Sequence, residues 1–315
     1  MIAPVLGFGQ GVQRYADGTA IDQEDNTFEW INYGTQDWAI ENAEVVTYRD
    51  GTVIPQVTDA SEWSNLTTGA WCYYSNDPSK GKLYNWYAVM GIHDNDENTP
   101  NKEFAPVGWR VPTDAEWTTL ENYLIANGYN YDGTTSQNKI AKAMASTTGW
   151  ISSTETGAIG NDQSLNNSSG FNAFPEGYYN GLFYNEGSQT IFWSSTEHSA
   201  SVAWYRLLYN SDSDPYRNYS VKRYGFSVRF VRDASTASTK GYSDTITIYP
   251  NPTTSIVTLQ GGKQYDIEVY TLQGNKVMAL IGNTIDMSHL SSATYIVKAL
   301  DKVVNEEVSY KVVKN

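Results

Sequence analysis

The sequence has few of the side chains on which metal centres and nucleophilic catalysis depend. Its 315 residues include one cysteine, Cys72, and three histidines, His93, His198 and His289. A single cysteine excludes a disulfide framework within the chain and a multi-cysteine metal site. The histidines are too widely spread for several of them to bind one metal ion within a domain, or to favour a nucleophilic triad. Cys72 lies in the aromatic run Trp71–Tyr74, which favours a buried structural thiol.

Positive charge and long apolar runs are also scarce. Charged residues make up 18% of the chain, and 35 acidic against 21 basic residues give a formal net charge of −14. This balance argues against nucleic-acid backbones and anionic membrane surfaces as partners. No apolar run reaches the roughly 18 residues of a membrane-spanning helix. The sequence therefore predicts neither a nucleic-acid partner nor a membrane span.

Aromatic residues, in contrast, are abundant. The chain is 40% hydrophobic and 14% aromatic, with 10 Trp and 24 Tyr. Tyr and Trp give a binding surface a large contact area at little cost in conformational entropy. A composition of this kind is typical of secreted binding proteins, and the length of the chain favours two domains.

Changes in composition divide the chain into four parts. Residues 1–10 are apolar and end in small residues, which resembles the last part of a secretory signal peptide; the alternative is an ordinary first strand. Residues 11–233 form the main predicted domain. Residues 234–244 are small and polar, as in a linker. Residues 245–315 contain short alternating strands between turns, which predict a small all-β, immunoglobulin-like sandwich.

Two helices are predicted in the main domain. Thr113 is a favourable N-cap, and Glu116 three residues later completes a capping box, so Glu116 is interpreted as a capping residue rather than a catalytic acid. A second helix is predicted over residues 136–146. The first helix is supported by apolar residues at helical spacing, namely Trp117, Leu120 and Leu124.

The stretch Ile191–Asp233 is the strongest candidate for a binding surface. Residues at both ends fit buried or half-buried strands, and between them Tyr209–Tyr219 has the composition of a loop rich in Tyr, Asn, Ser and Asp. A rigid frame that presents such a loop favours recognition over catalysis. We therefore predict no enzymatic activity and the following ligand-binding residues: His198, Tyr205, Tyr209, Asn210, Asp212, Asp214, Tyr216, Arg217, Asn218 and Tyr219.

A second candidate site is the acidic segment His93–Asn98. Asp94, Asp96 and Asn98 offer alternating oxygen ligands that suit calcium. The segment is not an EF-hand, because Thr99 and Ala105 stand where that loop needs Gly and Glu. The preferred interpretation is therefore a solvated loop and no cofactor, with a calcium ion held in another geometry as the alternative.

Five motifs stand in a fixed order along the chain: Gly34–Asn42, Leu83–Val89, Pro106–Trp117, Asn167–Tyr178 and the closing set Trp193–Glu197, Ala203–Tyr205 and Gly225–Asp233. Together they resemble the Fibrobacter succinogenes major paralogous domain over about residues 32–233. The resemblance implies an α+β fold similar to C-type lectins and formylglycine-generating enzymes. The calcium-dependent sugar-binding motifs of those lectins are absent, and one cysteine does not meet the need of such enzymes.

The resemblance also implies a likeness to surface proteins that retroelements diversify. His198, Tyr209–Asp214 and Tyr216–Tyr219 have the residue types expected of such diversification. Ordinary loop composition is the alternative explanation for the same residues.

The C-terminal segment carries a further set of motifs, Ile248–Thr254, Ile267–Gly274, Asp286–Leu290, Tyr295–Lys298 and Lys311–Lys314. These motifs resemble a type IX secretion sorting domain, although Ala293 stands where that family usually has Gly. The resemblance implies export across the outer membrane of a Bacteroidetes-type cell, with the secretion machinery as partner through residues 245–315. The protein is then expected to be secreted or held on the cell surface.

These patterns together predict a surface protein that binds a glycan or protein ligand through the 198–224 region. Two alternatives remain open at this point. One is a structural or adhesive surface component without a discrete ligand. The other is a degenerate enzyme of the formylglycine-generating type.

Overall fold

The computed structural model describes residues 14–234, 248–259, 264–272, 274–301 and 306–315. Two compact units divide the chain, Met1–Thr236 and Ala237–Asn315. The predicted signal-peptide remnant (residues 1–10) and nearly all of the predicted linker lie outside the described residues.

Strands dominate the described part of the first unit. The strands are β1 (Gly18–Ile21), β2 (Thr27–Tyr33), β3 (Gln36–Ala39), β4 (Trp71–Tyr73), β5 (Lys82–Tyr84), β6 (Tyr178–Tyr179), β7 (Phe183–Tyr184), β8 (Gln189–Ser199), β9 (Val202–Tyr209), β10 (Tyr216–Val221) and β11 (Val231–Asp233). The helices are α1 (Ala60–Ser64), α2 (Trp86–Val89), α3 (Asp114–Ala126) and α4 (Ala141–Met144).

Small antiparallel sheets organise these strands. One has the order β1-β2-β3-β11, so the last strand of the unit returns to the first sheet, with Val231 opposite Trp38. A second has the order β10-β9-β8, and the pairs β4-β5 and β6-β7 form separate two-stranded sheets. The beginning and the end of the unit are therefore joined by main-chain hydrogen bonds.

Four aromatic rings from distant segments form the centre of the core. Trp38 of β3 packs on Trp117 of α3 with ring centroids 4.6 Å apart. Phe171 and Phe192 contact the Trp117 ring at 6.0 and 5.6 Å. All four side chains are buried. Each contributes about 1.5–3 kcal/mol by removing apolar surface from water, so the core depends on long-range contacts.

The helix α3 confirms the first helix prediction. Thr113 Oγ1 accepts a hydrogen bond from the Glu116 backbone N–H at 3.2 Å, and Glu116 Oε2 accepts one from the Thr113 backbone N–H at 2.8 Å. This is the predicted capping box. The buried face of α3 is the predicted one, with Trp117, Leu120 and Leu124.

The second predicted helix is wrong over most of its length, because only Ala141–Met144 is helical. Gln137 has a positive φ of 63°, which interrupts a helix. Oδ1 of Asn130 accepts a hydrogen bond of 2.9 Å from the backbone N–H of Lys139. This bond replaces the main-chain hydrogen bond that the same N–H would donate in a helix. At Ala145 the backbone becomes extended. Tertiary contacts therefore override the local pattern.

The predicted α+β, C-type-lectin-like fold is wrong as well. Within the described residues, strands in several small sheets outweigh the helices, and α3 is the one α-helix longer than five residues. Short aromatic runs that fit either a strand or a helix form small two-stranded sheets, such as β4-β5 and β6-β7. No helix of the described chain has both the length and the apolar character needed to cross a membrane.

The second unit is formed by two antiparallel sheets in its described parts, with the orders β12-β13-β16 and β15-β14-β17-β18. Val257 and Ile285 from the first sheet and Ile267 and Val297 from the second belong to one buried cluster. The strands are β12 (Ile248–Tyr249), β13 (Ile256–Leu259), β14 (Tyr265–Thr271), β15 (Lys276–Gly282), β16 (Thr284–Asp286), β17 (Ala293–Asp301) and β18 (Glu306–Lys314).

Candidate functional site

All ten candidate ligand-binding residues lie on the β8–β9–β10 sheet or in the turn that follows β9. β9 pairs with both β8 and β10, so β10 is an edge strand. The loop predicted over Tyr209–Tyr219 is therefore wrong in its second half, because Tyr216–Val221 is strand and residues 210–215 form the turn. The polar residues of β10 are held by a main-chain ladder with β9, which makes them more rigid than a loop.

Strand register decides which candidate residues share a face of this sheet. Tyr219 lies opposite Trp204, and Asn218 lies opposite Tyr205. Successive side chains of a strand point to opposite faces. One face therefore carries Trp204, Arg217 and Tyr219, and the other carries Tyr205, Tyr216 and Asn218.

Four side chains on the first face form a compact group, which we call the His198 cluster: His198, Trp204, Arg217 and Tyr219. His198 stacks on Tyr219 with ring centroids 4.1 Å apart and an interplanar angle of 18°. Both rings meet the Trp204 ring edge-on, at 4.7 and 5.6 Å. The Arg217 guanidinium lies 3.5 Å from the centroid of the Trp204 ring. Trp204 is half-buried and the other three are exposed, so the cluster presents aromatic and cationic groups to solvent.

Asp114, the first residue of α3, holds the His198 cluster in place. Its carboxylate accepts hydrogen bonds from Nη2 and Nε of Arg217 at 2.8 and 2.9 Å, and from Nη1 of the buried Arg206 at 2.7 Å. Burial opposes ionisation of Asp114, but the two arginines outweigh it and hold the pKa of this carboxyl below its ordinary value. A bidentate arginine–carboxylate pair fixes orientation, so Arg217 is positioned before any ligand arrives.

The remaining candidates lie at the end of β9 and in the turn that follows it. Asn210 is buried and donates from Nδ2 to the carbonyl oxygen of Ile151 at 3.1 Å, so it has a structural role. Burial and the nearby Asp212 raise the pKa of Tyr216 on the second face. No contact within the described residues joins the following candidates to the His198 cluster: Tyr209, Asn210, Asp212 and Asp214.

The acidic segment uses its oxygen atoms for bonds within itself. Asp94 Oδ1 accepts a hydrogen bond from the Asp96 backbone N–H at 3.0 Å, and Asp96 Oδ1 accepts two from Asn98 at 2.9 Å. No group of three His, Cys, Asp or Glu side chains in the described chain is placed to hold a metal ion. Calcium binding at Asp94, Asp96 and Asn98 stays a prediction, and the loop geometry gives it no support.

Cys72 is buried and unpaired, as predicted. Burial raises the pKa of its thiol far above the ordinary value. The thiolate, rather than the thiol, is the nucleophile of cysteine chemistry. Cys72 is therefore suited to packing and not to nucleophilic attack.

Sequence analysis missed two residues of this site, Trp204 and Asp114. Trp204 could have been found from the alternation of side chains along β9. Alternation places Trp204 and Arg206 on one face of the strand and the predicted Tyr205 on the other. Asp114 had none beyond its favourable position in the first turn of a helix, because its partners Arg206 and Arg217 lie 92 and 103 positions later. Only the fold brings Asp114 close to these two distant arginines.

Comparison with known proteins gives two family matches. The Fibrobacter succinogenes major domain matches residues 31–232, and the secretion system C-terminal sorting domain matches residues 247–315. Searches of the curated proteins and of the solved structures found no match. The sorting domain indicates export by the type IX secretion machinery and attachment to the cell surface. The chain belongs to the Fibrobacter succinogenes major domain family and carries a sorting domain for the cell surface.

Proposed function

We propose that this secreted protein acts in recognition or adhesion at the cell surface and binds a glycan or protein ligand through residues 198–224. The observation that carries the proposal is the His198 cluster, in which Arg217 lies over Trp204 while Asp114 holds its guanidinium. The type IX sorting domain supports the proposal, because it delivers this surface to the outside of the cell.

The physical support is preorganisation. Trp, Tyr and Arg are the residue types that contribute most to binding at protein surfaces. Ordering a flexible side chain on binding costs about 0.5–1.5 kcal/mol. Asp114 and Trp204 already hold Arg217, and His198 already stacks on Tyr219. A ligand that docks here therefore loses less free energy to side-chain ordering.

The test is a glycan array combined with a cell-surface binding screen, both with the full 315-residue chain. Arg217→Ala and Tyr219→Ala should each weaken binding by about tenfold or more, the effect of removing a residue important for binding. Lys80→Ala and Tyr15→Ala are the controls, because both side chains are exposed and both lie outside residues 198–224. Near-ultraviolet circular dichroism checks that each variant folds.

The outcomes separate this proposal from its alternatives. Binding that is lost in both cluster variants and kept in both controls supports the proposal. Equal binding by all five proteins would place the ligand elsewhere on the chain. Absence of binding to every glycan and cell surface would favour a structural surface component without a discrete ligand.

A further inference from the structure

Arg217 of the His198 cluster uses only part of its hydrogen-bonding capacity. A guanidinium carries five N–H donors in a planar arrangement. Asp114 accepts hydrogen bonds from Nε and Nη2 of Arg217, at 2.9 and 2.8 Å. Within the described residues, both N–H groups of Nη1 and the second of Nη2 have no hydrogen-bond partner. The side chain is 46% exposed, so the fork formed by Nη1 and Nη2 is open to solvent.

The acidic side chains beside Arg217 are already paired with arginines. Both oxygens of Asp114 accept hydrogen bonds from Arg217, and Oδ1 accepts another from the buried Arg206. Glu121 accepts from Nε of Arg206 through Oε1, and from Asn138 at 3.0 Å through Oε2. Asp114 and Glu121 are the two carboxylates that raise the pKa of Arg217. Two carboxylates and two arginines balance, so this group has no net negative charge to repel an anion.

The other outward-facing polar groups of the cluster can also donate hydrogen bonds. They are the ring nitrogens of His198 and the hydroxyl group of Tyr219, and within the described residues neither side chain has a hydrogen-bond partner. An ionised carboxylate is purely an acceptor, and its two oxygens match an arginine fork with two parallel hydrogen bonds. The cluster therefore favours a ligand that carries a carboxylate.

The surroundings of the cluster favour a sugar over a protein as the carrier of that carboxylate. Protein interfaces have an apolar core, formed by side chains that are exposed before the partner binds. In residues 198–224 the exposed large hydrophobic side chains are Tyr216 and Tyr219, and Tyr216 lies on the other face of the sheet. The exposed residues of α3 near Asp114 include Ala115 and Thr118, which are small or polar. A polar surface of this kind suits the hydroxyl groups of a sugar.

The net charge of the chain limits how acidic that sugar can be. A protein with a net charge of −14 repels a dense polyanion. Salt screens exposed charges beyond about 8 Å at physiological ionic strength. A single carboxylate at the open fork is therefore affected mainly by the side chains next to it, which are balanced in charge.

We propose that the His198 cluster binds a glycan through an isolated carboxylate, such as that of a terminal uronic acid, held by the open fork of Arg217. His198 and Tyr219 donate to neighbouring hydroxyl groups of the sugar. This assignment rests on the recognition role proposed above and names the class of ligand for the same residues.

The test is isothermal titration calorimetry of the full chain with two singly acidic oligosaccharides, glucuronosyl-xylotriose and sialyllactose. Each is compared with its carboxyl-reduced form, which is neutral and otherwise the same. The native protein should bind at least one acidic form about 10- to 100-fold more tightly than the reduced form, the effect of hydrogen bonds to a charged group. Arg217→Ala should bind both forms equally weakly. Arg217→Lys keeps the charge without the fork and should lose most of the preference.

Lys80→Ala is the matched control. It removes an exposed cation that is also paired with a carboxylate, that of Glu186, outside residues 198–224. This variant should keep the full preference for the acidic form. Near-ultraviolet circular dichroism checks that each variant folds. A peptide with a single aspartate and the polyanion hexagalacturonate complete the set of probes.

The outcomes separate this inference from the proposed function. A preference for the acidic form that persists in Arg217→Ala would place the carboxylate elsewhere and overturn the inference. Equal binding of both forms by the native protein would overturn the acidic class, and loss of neutral glycans by Arg217→Ala on the array would still support the proposed function. Binding of the peptide without either acidic oligosaccharide would overturn the glycan class.

Two further outcomes would count against the inference. Tighter binding of hexagalacturonate than of both singly acidic oligosaccharides would overturn the isolated carboxylate. Failure of both singly acidic oligosaccharides to bind would overturn the inference as a whole, while the array and cell-surface screen would still decide the proposed function.

Discussion

Asn42 accepts a hydrogen bond of 2.7 Å from Nε of Arg229, a residue 187 positions further along the chain. Its Nδ2 donates to Oε2 of Glu176 at 2.6 Å, and Ser227 donates to the same oxygen at 3.1 Å. Asn42, Glu176 and Arg229 come from the opening, the fourth and the closing sequence motifs. Three of the five motifs therefore meet in one polar network, and these residues have a structural role in it.

Arg229 is the centre of this network. Its guanidinium is fully enclosed and donates to the carbonyl oxygens of Ala39 and Phe171 at 3.2 and 3.1 Å. It also lies 4.7 Å from the centroid of the Phe171 ring. Burial lowers the pKa of Arg229 to about 10, although Glu176 opposes this shift. The side chain is therefore still a cation at neutral pH.

Arg229→Met should destabilise the first unit, because it leaves the carbonyl oxygens of Ala39 and Phe171 and the side-chain oxygen of Asn42 without a donor. Each buried acceptor left without a partner costs about 1–3 kcal/mol. The measurement is urea denaturation followed by tryptophan fluorescence. The exposed Arg223 provides the control, since Arg223→Met should change the free energy of unfolding by no more than about 0.5 kcal/mol. A cost below about 1 kcal/mol for Arg229→Met, typical of an ordinary substitution, would contradict the role given to the network.

Glu176 should make the first unit less stable as the pH rises. Burial raises the pKa of its carboxyl, and the hydrogen bonds from Asn42 and Ser227 only partly oppose this. The unfolded chain then releases this proton at a lower pH than the folded chain. The contribution of the neutral carboxyl to stability is complete below the ordinary Glu pKa and is lost as the pH rises through the raised pKa.

Glu176→Gln keeps the neutral form and should remove this part of the pH dependence. The measurement is the Tm of both proteins between about pH 4 and pH 8, a range that starts near the ordinary Glu pKa. The Tm of the native protein relative to the variant should fall across this range. Parallel Tm curves would show that Glu176 has an ordinary pKa in the folded state.

Thr113→Ala should destabilise the first unit by about 1 kcal/mol, because it removes the N-cap of α3. For a unit of this size, that corresponds to a fall in Tm of about 2–4 °C. Thr119→Ala is the matched control: Thr119 is an exposed residue within the same helix, and alanine has a higher helix propensity than threonine. Calorimetry should show a lower Tm for the first variant only, and equal shifts would argue against the cap.

The contrast between α3 and its surroundings shows how far sequence reasoning reaches. The capping box of Thr113 and Glu116 is local, and the sequence predicts it with its helix. The interruption at Gln137 depends on a hydrogen bond from Lys139 to Asn130, which local periodicity does not show. For the same reason the sequence identifies 198–224 as a candidate surface but misses its partner Asp114. Contacts between residues far apart in the sequence determine both which strands form the small sheets and which side chains form the site.

Asp114→Asn should disturb the His198 cluster and the first unit together. The substitution removes the negative charge that Arg217 and the buried Arg206 share. The free energy of unfolding should fall, because a hydrogen bond to a charged group contributes about 1.5–3 kcal/mol to stability. Ligand binding through the cluster should weaken, because Arg217 loses the bidentate partner that orients it. Arg206 keeps its bond to Glu121, so the variant is expected to fold.

The pH dependence of Asp114 has the opposite sign to that of Glu176. The pKa of Asp114 is held below its ordinary value, so its contribution to stability is present above the ordinary Asp pKa and is lost as the pH falls through the lowered one. The difference in Tm between the native protein and Asp114→Asn should therefore be largest near neutral pH and shrink in acid. Asp212→Asn is the control for the loss of one negative charge, since Asp212 lies outside the cluster. A difference that stays constant down to about pH 3, below the ordinary Asp pKa, would mean that Asp114 acts through its shape and not through its charge.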